Sequence, residues 1–152
     1  MSLAIEIRFK RVDNDNPVVF KVDGERFSTS SKTIKFVSGI KYRILIKVMP
    51  PTEFYNLNIG GSDLALLTEK PCSGESSAEW NTTGLGPSAK GQREDVAFRL
   101  HGPGGTLSTK LQAKFYAESD SHADYGTRLD ALALKAAPDG TGTLATTQIE
   151  FK

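Results

Sequence analysis

Cysteine is almost missing from this chain: one residue, Cys72, in 152. A single cysteine excludes an internal disulfide and suits a reducing compartment. Histidine is nearly as scarce, and His101, His122 and Cys72 lack the paired spacing of a structural zinc site, so neither a metal nor a cofactor is expected. Apolar runs are short, none approaching the roughly eighteen residues that a membrane span needs. A basic start followed by an apolar stretch is also lacking, so no signal peptide is expected. Without one, the sequon Asn81-Thr82-Thr83 reads as chance. The expected location is the cytoplasm. Any placement at a membrane would be peripheral, at the inner face of the plasma membrane.

Catalytic constellations are equally thin. Ser121-His122-Ala123-Asp124 holds the residue types of a triad, but neighbours in one loop rarely reach triad geometry. His101-Gly102-Pro103-Gly104-Gly105 lacks the lysine and helix of a phosphate loop and reads as a turn. Cys72 stands among polar neighbours, as an exposed and unactivated thiol would. No enzyme is expected. Nucleic acid is not expected either: the basic stretches carry Ile, Val and Leu where base-stacking aromatics would serve.

What the chain has is glycine (14), proline (7) and a period of two. Leu3, Ile5, Ile7 and Phe9 alternate with polar residues, as in a half-buried strand. Asp23-Gly24 is a strong hairpin signal, and a two-residue turn there sets Phe20 against Phe27 and Lys21 against Arg26. A three-residue loop at 38–40 sets Ile34 against Ile44, Phe36 against Tyr42 and Lys35 against Arg43. Phe54–Ile59, Gly60-Gly61 and Asp63–Leu67 read as strand, turn and strand. Residues 68–79 and 84–93 read as loops, and Trp80 stands in a short strand. Alternation recurs at Val96, Phe98 and Leu100, then at Leu107, Leu111, Ala113 and Phe115. A last pair is expected near 128–135 and 143–151. With no convincing helical stripe, the fold class is all-β: one domain over 1–152, an antiparallel immunoglobulin-like β-sandwich.

Charge is uneven. Residues 1–50 hold ten Lys/Arg and five Asp/Glu, a net of +5, against nine and thirteen, a net of −4, in residues 51–152. Lys21, Arg26, Lys35 and Arg43, with Lys41 and Lys47, are candidates for one basic face that attracts an acidic or phosphorylated peptide. Leu45 is an apolar contact on it. The plainer reading is a solvated sheet face, on which lysine also discourages edge-to-edge association.

Several stretches resemble the cannabinoid receptor-interacting protein family: FKVDGERFSTSSKTIKFVSGIKYRILIKVMP, then NLNIGG, WNTTGLGPSAKGQRE and KLQAKFY. The resemblance covers most of residues 4–135, is strongest across 17–61, and leaves 136–152 outside. It implies a non-catalytic intracellular adaptor that binds the cytoplasmic C-terminal tail of the type-1 cannabinoid receptor and tempers its signalling. It also implies a sandwich similar to the Rho GDP-dissociation inhibitor. That fold analogy suggests an alternative, a carrier of lipid or prenyl groups, with Phe36, Tyr42, Trp80, Phe98 and Phe115 lining a pocket between sheets. Core packing explains the same five residues more simply.

Overall fold

The computed structural model describes residues 2–27 and 29–152. Twelve strands are present among them, and the class is all-β: β1 (Leu3–Arg11), β2 (Val19–Val22), β3 (Lys32–Val37), β4 (Lys41–Met49), β5 (Asn56–Ile59), β6 (Ser62–Ala65), β7 (Glu75–Asn81), β8 (Glu94–Gly102), β9 (Gly105–Tyr116), β10 (Thr127–Arg128), β11 (Leu132–Pro138) and β12 (Thr143–Phe151). One 3-10 turn, Ser121–Asp124, is the helical content. No helix among the described residues is long and apolar enough to cross a membrane.

The strands form one continuous sheet wrapped nearly into a barrel. One layer runs β10-β2-β3-β9, with β8, β5 and β6 continuing beyond β9, and the other runs β11-β1-β4-β7. β12 joins the layers, antiparallel to β11 and parallel to β9 at Thr143–Leu144. β3 and β9 are also parallel, so the sheet is mixed where a purely antiparallel one was expected. Alternation places the core as the sequence suggests. On β1, Leu3, Ile5, Ile7 and Phe9 are buried, and on β4 so are Tyr42, Ile44, Ile46 and Val48. The Gly60-Gly61 turn joins β5 to β6 with both residues at positive φ (57° and 87°), a conformation glycine adopts without steric cost. Residues 132–138 and 143–151 form the last hairpin.

Three expectations fail, each for a local reason. Asp23-Gly24 does not close a two-residue hairpin. β2 instead pairs with β3, so Phe20 faces Ile34 and Lys21 faces Thr33, and neither meets Phe27 or Arg26. The amides of Asp23 and Gly24 both donate to the Ser31 carbonyl (2.7 and 3.1 Å), closing a longer connection over 23–31. Second, the 38–40 loop is not a hairpin but a crossover between layers. β3 lies between β2 and β9, while β4 lies between β1 and β7, so Ile34 does not pair with Ile44, nor Lys35 with Arg43. Phe36 and Tyr42 do meet, edge to face at 5.3 Å between ring centroids, as layers stacking and not as cross-strand neighbours. Third, 75–79 belongs to β7. Its buried Ala78 and Trp80 alternate with residues that face water, a pattern that polar composition hides.

Thr82 holds the crossover. Its hydroxyl donates toward the Val37 carbonyl (2.7 Å) and accepts from the Ile40 amide (3.1 Å), while its own amide donates to the Ile40 carbonyl (2.9 Å). Asn81 accepts from the Thr83 amide (2.9 Å), so the sequon residues are built into the turn after β7. Thr82→Val keeps the volume but leaves the buried Ile40 N–H without its partner. It should cost about 1–3 kcal/mol, read as a lower midpoint in chemical denaturation with an unchanged slope.

Candidate functional site

Lys21, Lys35 and Lys114 stand on three adjacent strands, β2, β3 and β9, and Lys35 and Lys114 are direct register partners. The alternation that sends Ile34, Phe36, Ala113 and Phe115 into the core sends these lysines outward. Lys90 and Arg93, from the 84–93 loop, join them around a cleft of about 510 Å3 whose wall includes Tyr116. The two ammonium groups of Lys35 and Lys114 lie 5.4 and 5.1 Å from the centre of the Tyr116 ring. Cations over an aromatic face gain some of the stabilisation that neighbouring positive charges remove.

The cleft is positioned by a buried polar network. The Arg93 guanidinium pairs bidentately with Asp23, Nε to Oδ2 and Nη2 to Oδ1, both 3.1 Å. Both side chains are out of solvent, at 6% and 0% exposure. The Thr33 hydroxyl also donates to Asp23, Gln112 Nε2 donates to Thr33 (2.9 Å), and Gln112 Oε1 accepts from the Ser30 amide (3.1 Å). Burial works against ionisation of Asp23, but hydrogen bonds from Arg93 and Thr33 outweigh it and hold the carboxyl below its ordinary range. Asp23-Gly24 and Gln92-Arg93, drawn from two stretches of the sequence, are thereby fastened together.

Lys35 is fixed as well. Its ammonium donates to the backbone carbonyls of His122 (3.0 Å) and Tyr125 (2.5 Å). Burial, then the charges of Lys21, Lys114 and Arg93, push Lys35 below the ordinary lysine value; burial, Arg93 and Lys21 do the same to Lys114. Among the described residues, none of the four cleft lysines has a carboxylate oxygen within 4 Å. Asp120, held ionised by the His122 amide and ring, stands at the rim.

The six basic candidates therefore divide. Lys21 and Lys35 are in the cleft. Arg26 lies in the 23–31 connection, where its guanidinium and that of Arg93 sit 5.2 and 4.7 Å from the centre of the Phe27 ring. Lys41, Arg43 and Lys47 project from β4 on the opposite layer. There Arg43 stands between Lys10 and Glu79, and Lys47 between Glu6 and Glu75, with Glu79 at 4.0 Å and Glu75 at 3.9 Å. Leu45 is on that face too. Lys90, Arg93, Lys114 and Tyr116 are the members that sequence reasoning missed. The signal was Gln112, Lys114 and Tyr116 alternating with Leu111, Ala113 and Phe115.

Phe36, Tyr42, Trp80, Phe98 and Phe115 are each no more than 2% exposed. Four of them pack on one another, with Phe36 at 5.1 Å from Trp80 and 5.8 Å from Phe115 between ring centroids. Burial pushes the Tyr42 phenol up to about 12, while its oxygen accepts from the Val37 amide at 2.7 Å. His122 contacts Asp120, whereas Asp124 is directed to Arg11 at 3.7 Å, so the triad residue types are not assembled. His101 Nδ1 lies 3.1 Å from the Thr106 hydroxyl, and Cys72 is exposed. Among the described residues no group of three His, Cys, Asp or Glu side chains is placed to hold a metal ion.

A model of the family described as CB1 cannabinoid receptor-interacting protein 1 matches residues 1–151. The mouse protein of that name is 32% identical over 151 residues, which is 95% of this chain and 89% of the relative. The human protein is 30% identical over the same shares. The match runs through residues 136–151, which the sequence reading had left outside it.

Asp23→Asn, which strands the buried guanidinium, should cost about 3–5 kcal/mol at pH 7 in chemical denaturation. The folded-state pKa of Asp23 is the depressed one. Its contribution is therefore complete above the ordinary value of 3.8 and is lost as pH falls through the folded value. The variant should accordingly lose less stability than wild type between pH 5 and the most acid conditions; parallel losses would remove Asp23 from the acid response.

Proposed function

This chain belongs to the CB1 cannabinoid receptor-interacting protein 1 family, and we propose that it is a non-catalytic adaptor. It binds the cytoplasmic C-terminal tail of a cannabinoid-type G-protein-coupled receptor and modulates its signalling. The observation that carries this reading is the match along almost the whole chain to proteins named for interaction with that receptor.

The surface favoured for the tail is the outer face of β2, β3 and β9, not the face of β4. A disordered tail that binds must have its charges met at low ordering cost. Lys35 is held in place and none of the four cleft lysines has a carboxylate partner among the described residues, while Arg43 and Lys47 already have Glu79 and Glu75 beside them. Acidic or phosphorylated side chains of the tail would accept hydrogen bonds from Lys21, Lys35 and Lys114, with Arg26 extending the face. Four of the five core aromatics pack on one another and Phe98 is fully buried, so carriage of a lipid chain gains no specific support from them.

Charge reversal separates the two faces. Binding of a receptor-tail peptide to K21E/K114E should weaken by about tenfold or more in a fluorescence or calorimetric titration, and R43E/K47E should stay near wild type. Equal affinities for all three proteins, each folded by circular dichroism, would sink the assignment to this face.

A further inference from the structure

The cleft above β2, β3 and β9 has a shape as well as a charge. Four lysines converge on it from three strands and one loop, and the single carboxylate at the rim, Asp120, leaves about three positive charges uncompensated. Arg93 closes one end with its own charge already matched by Asp23. The residual cations surround a compact space of about 510 Å3 and are not strung along a line. An extended peptide advances about 3.3 Å per residue and alternates its side chains, so its like-facing anionic groups stand about 6–7 Å apart along a line. A small ring carrying several phosphates presents three or more charges together.

The fixed side chains point the same way. Lys35 is tethered to two backbone carbonyls, and Lys35 and Lys114 flank the Tyr116 ring, so little side-chain freedom remains to be lost on binding. After burial, the charges of Lys21 and Arg93 lower the protonation of both Lys35 and Lys114, a repulsion that a polyanion would relieve. On the β4 face, by contrast, Arg43 and Lys47 have Glu79 and Glu75 within 4.0 Å.

We infer that this cleft binds a compact polyphosphorylated small molecule of the inositol phosphate class, through Lys21, Lys35, Lys90 and Lys114. The site overlaps the surface proposed for the receptor tail but does not need it: phosphate binding is measured with no peptide present, so either reading can fail alone. The same chemistry is available from a free inositol phosphate or from the headgroup of a phosphoinositide.

The experiment uses the full chain in two arms. In the first, inositol 1,4,5-trisphosphate is titrated calorimetrically into wild type, K35Q/K114Q, K21Q/K90Q and the opposite-face control K41Q/R43Q, all checked by thermal denaturation. One-to-one binding is expected, weakened about tenfold or more in either cleft variant and within about twofold of wild type in the control. K21Q/K90Q keeps the test alive if loss of the tethered Lys35 disturbs folding. In the second arm, co-sedimentation is measured with phosphatidylcholine vesicles containing phosphatidylinositol 4,5-bisphosphate or charge-matched phosphatidylserine. Binding in the first arm alone supports a soluble ligand, and selective binding to the phosphoinositide vesicles supports a headgroup. Three results overturn the inference: no saturable binding in either arm, equal binding to both vesicle types with none in solution, or equal losses in cleft and control variants.

Discussion

The buried pair of Asp23 and Arg93 is the constraint on which the outer face of β2, β3 and β9 depends. Taking two charges out of water is costly, and their attraction offsets that only where the geometry is close and the spare donors and acceptors are met. Here the contact is bidentate, Thr33 adds a donor to the carboxylate, and Gln92 accepts from the remaining Nη1 at 3.0 Å. The gain is chiefly positional. A loop that follows β7 and a turn that follows β2 have one arrangement in which neither charge is left unpaired. The wall carrying Lys90 is placed by that requirement.

Once the wall is fixed, the two outer faces of the protein treat basic residues in opposite ways. On β4, Arg43 and Lys47 each have a glutamate on a neighbouring strand, the ordinary condition of a solvated surface, and such exposed pairs contribute little. Around Tyr116 the lysines have aromatic and carbonyl neighbours in place of carboxylates. Carbonyl oxygens and a ring face make the concentration of charge tolerable without cancelling it.

Local pattern was legible in the sequence and partner choice was not. The alternation on β1, β4, β8 and β9 identified the buried set, because period two depends on nearest neighbours along the chain. Which strand lies beside which depends on contacts far apart in sequence. Ile34 and Phe36 have the same alternation whether they pair with β4 or face it across the core, so the crossover at Ser38-Gly39-Ile40 was read as a hairpin. Asp23-Gly24 misled differently. Its glycine does adopt positive φ, but the aspartate is engaged by Arg93, seventy residues on, and the turn reorganises around that bond. The site was half legible for the same reason: Lys21 and Lys35 stood out in a basic segment, while Lys90 and Lys114 lay in a half whose net charge is negative.

The position of β1 bears on how the chain is made. One of its edges is covered by β4, which follows within some forty residues, but the other pairs Leu3 with Ala136 and Ile7 with Leu132. During synthesis that second edge must remain open until residues 132–136 have left the ribosome. For that interval the nascent protein exposes a strand edge whose inward side chains are Leu, Ile, Ile and Phe, the kind of template that captures other chains. Arg8, Lys10 and Arg11 on the same strand then act before the fold exists, as charges that discourage a premature partner.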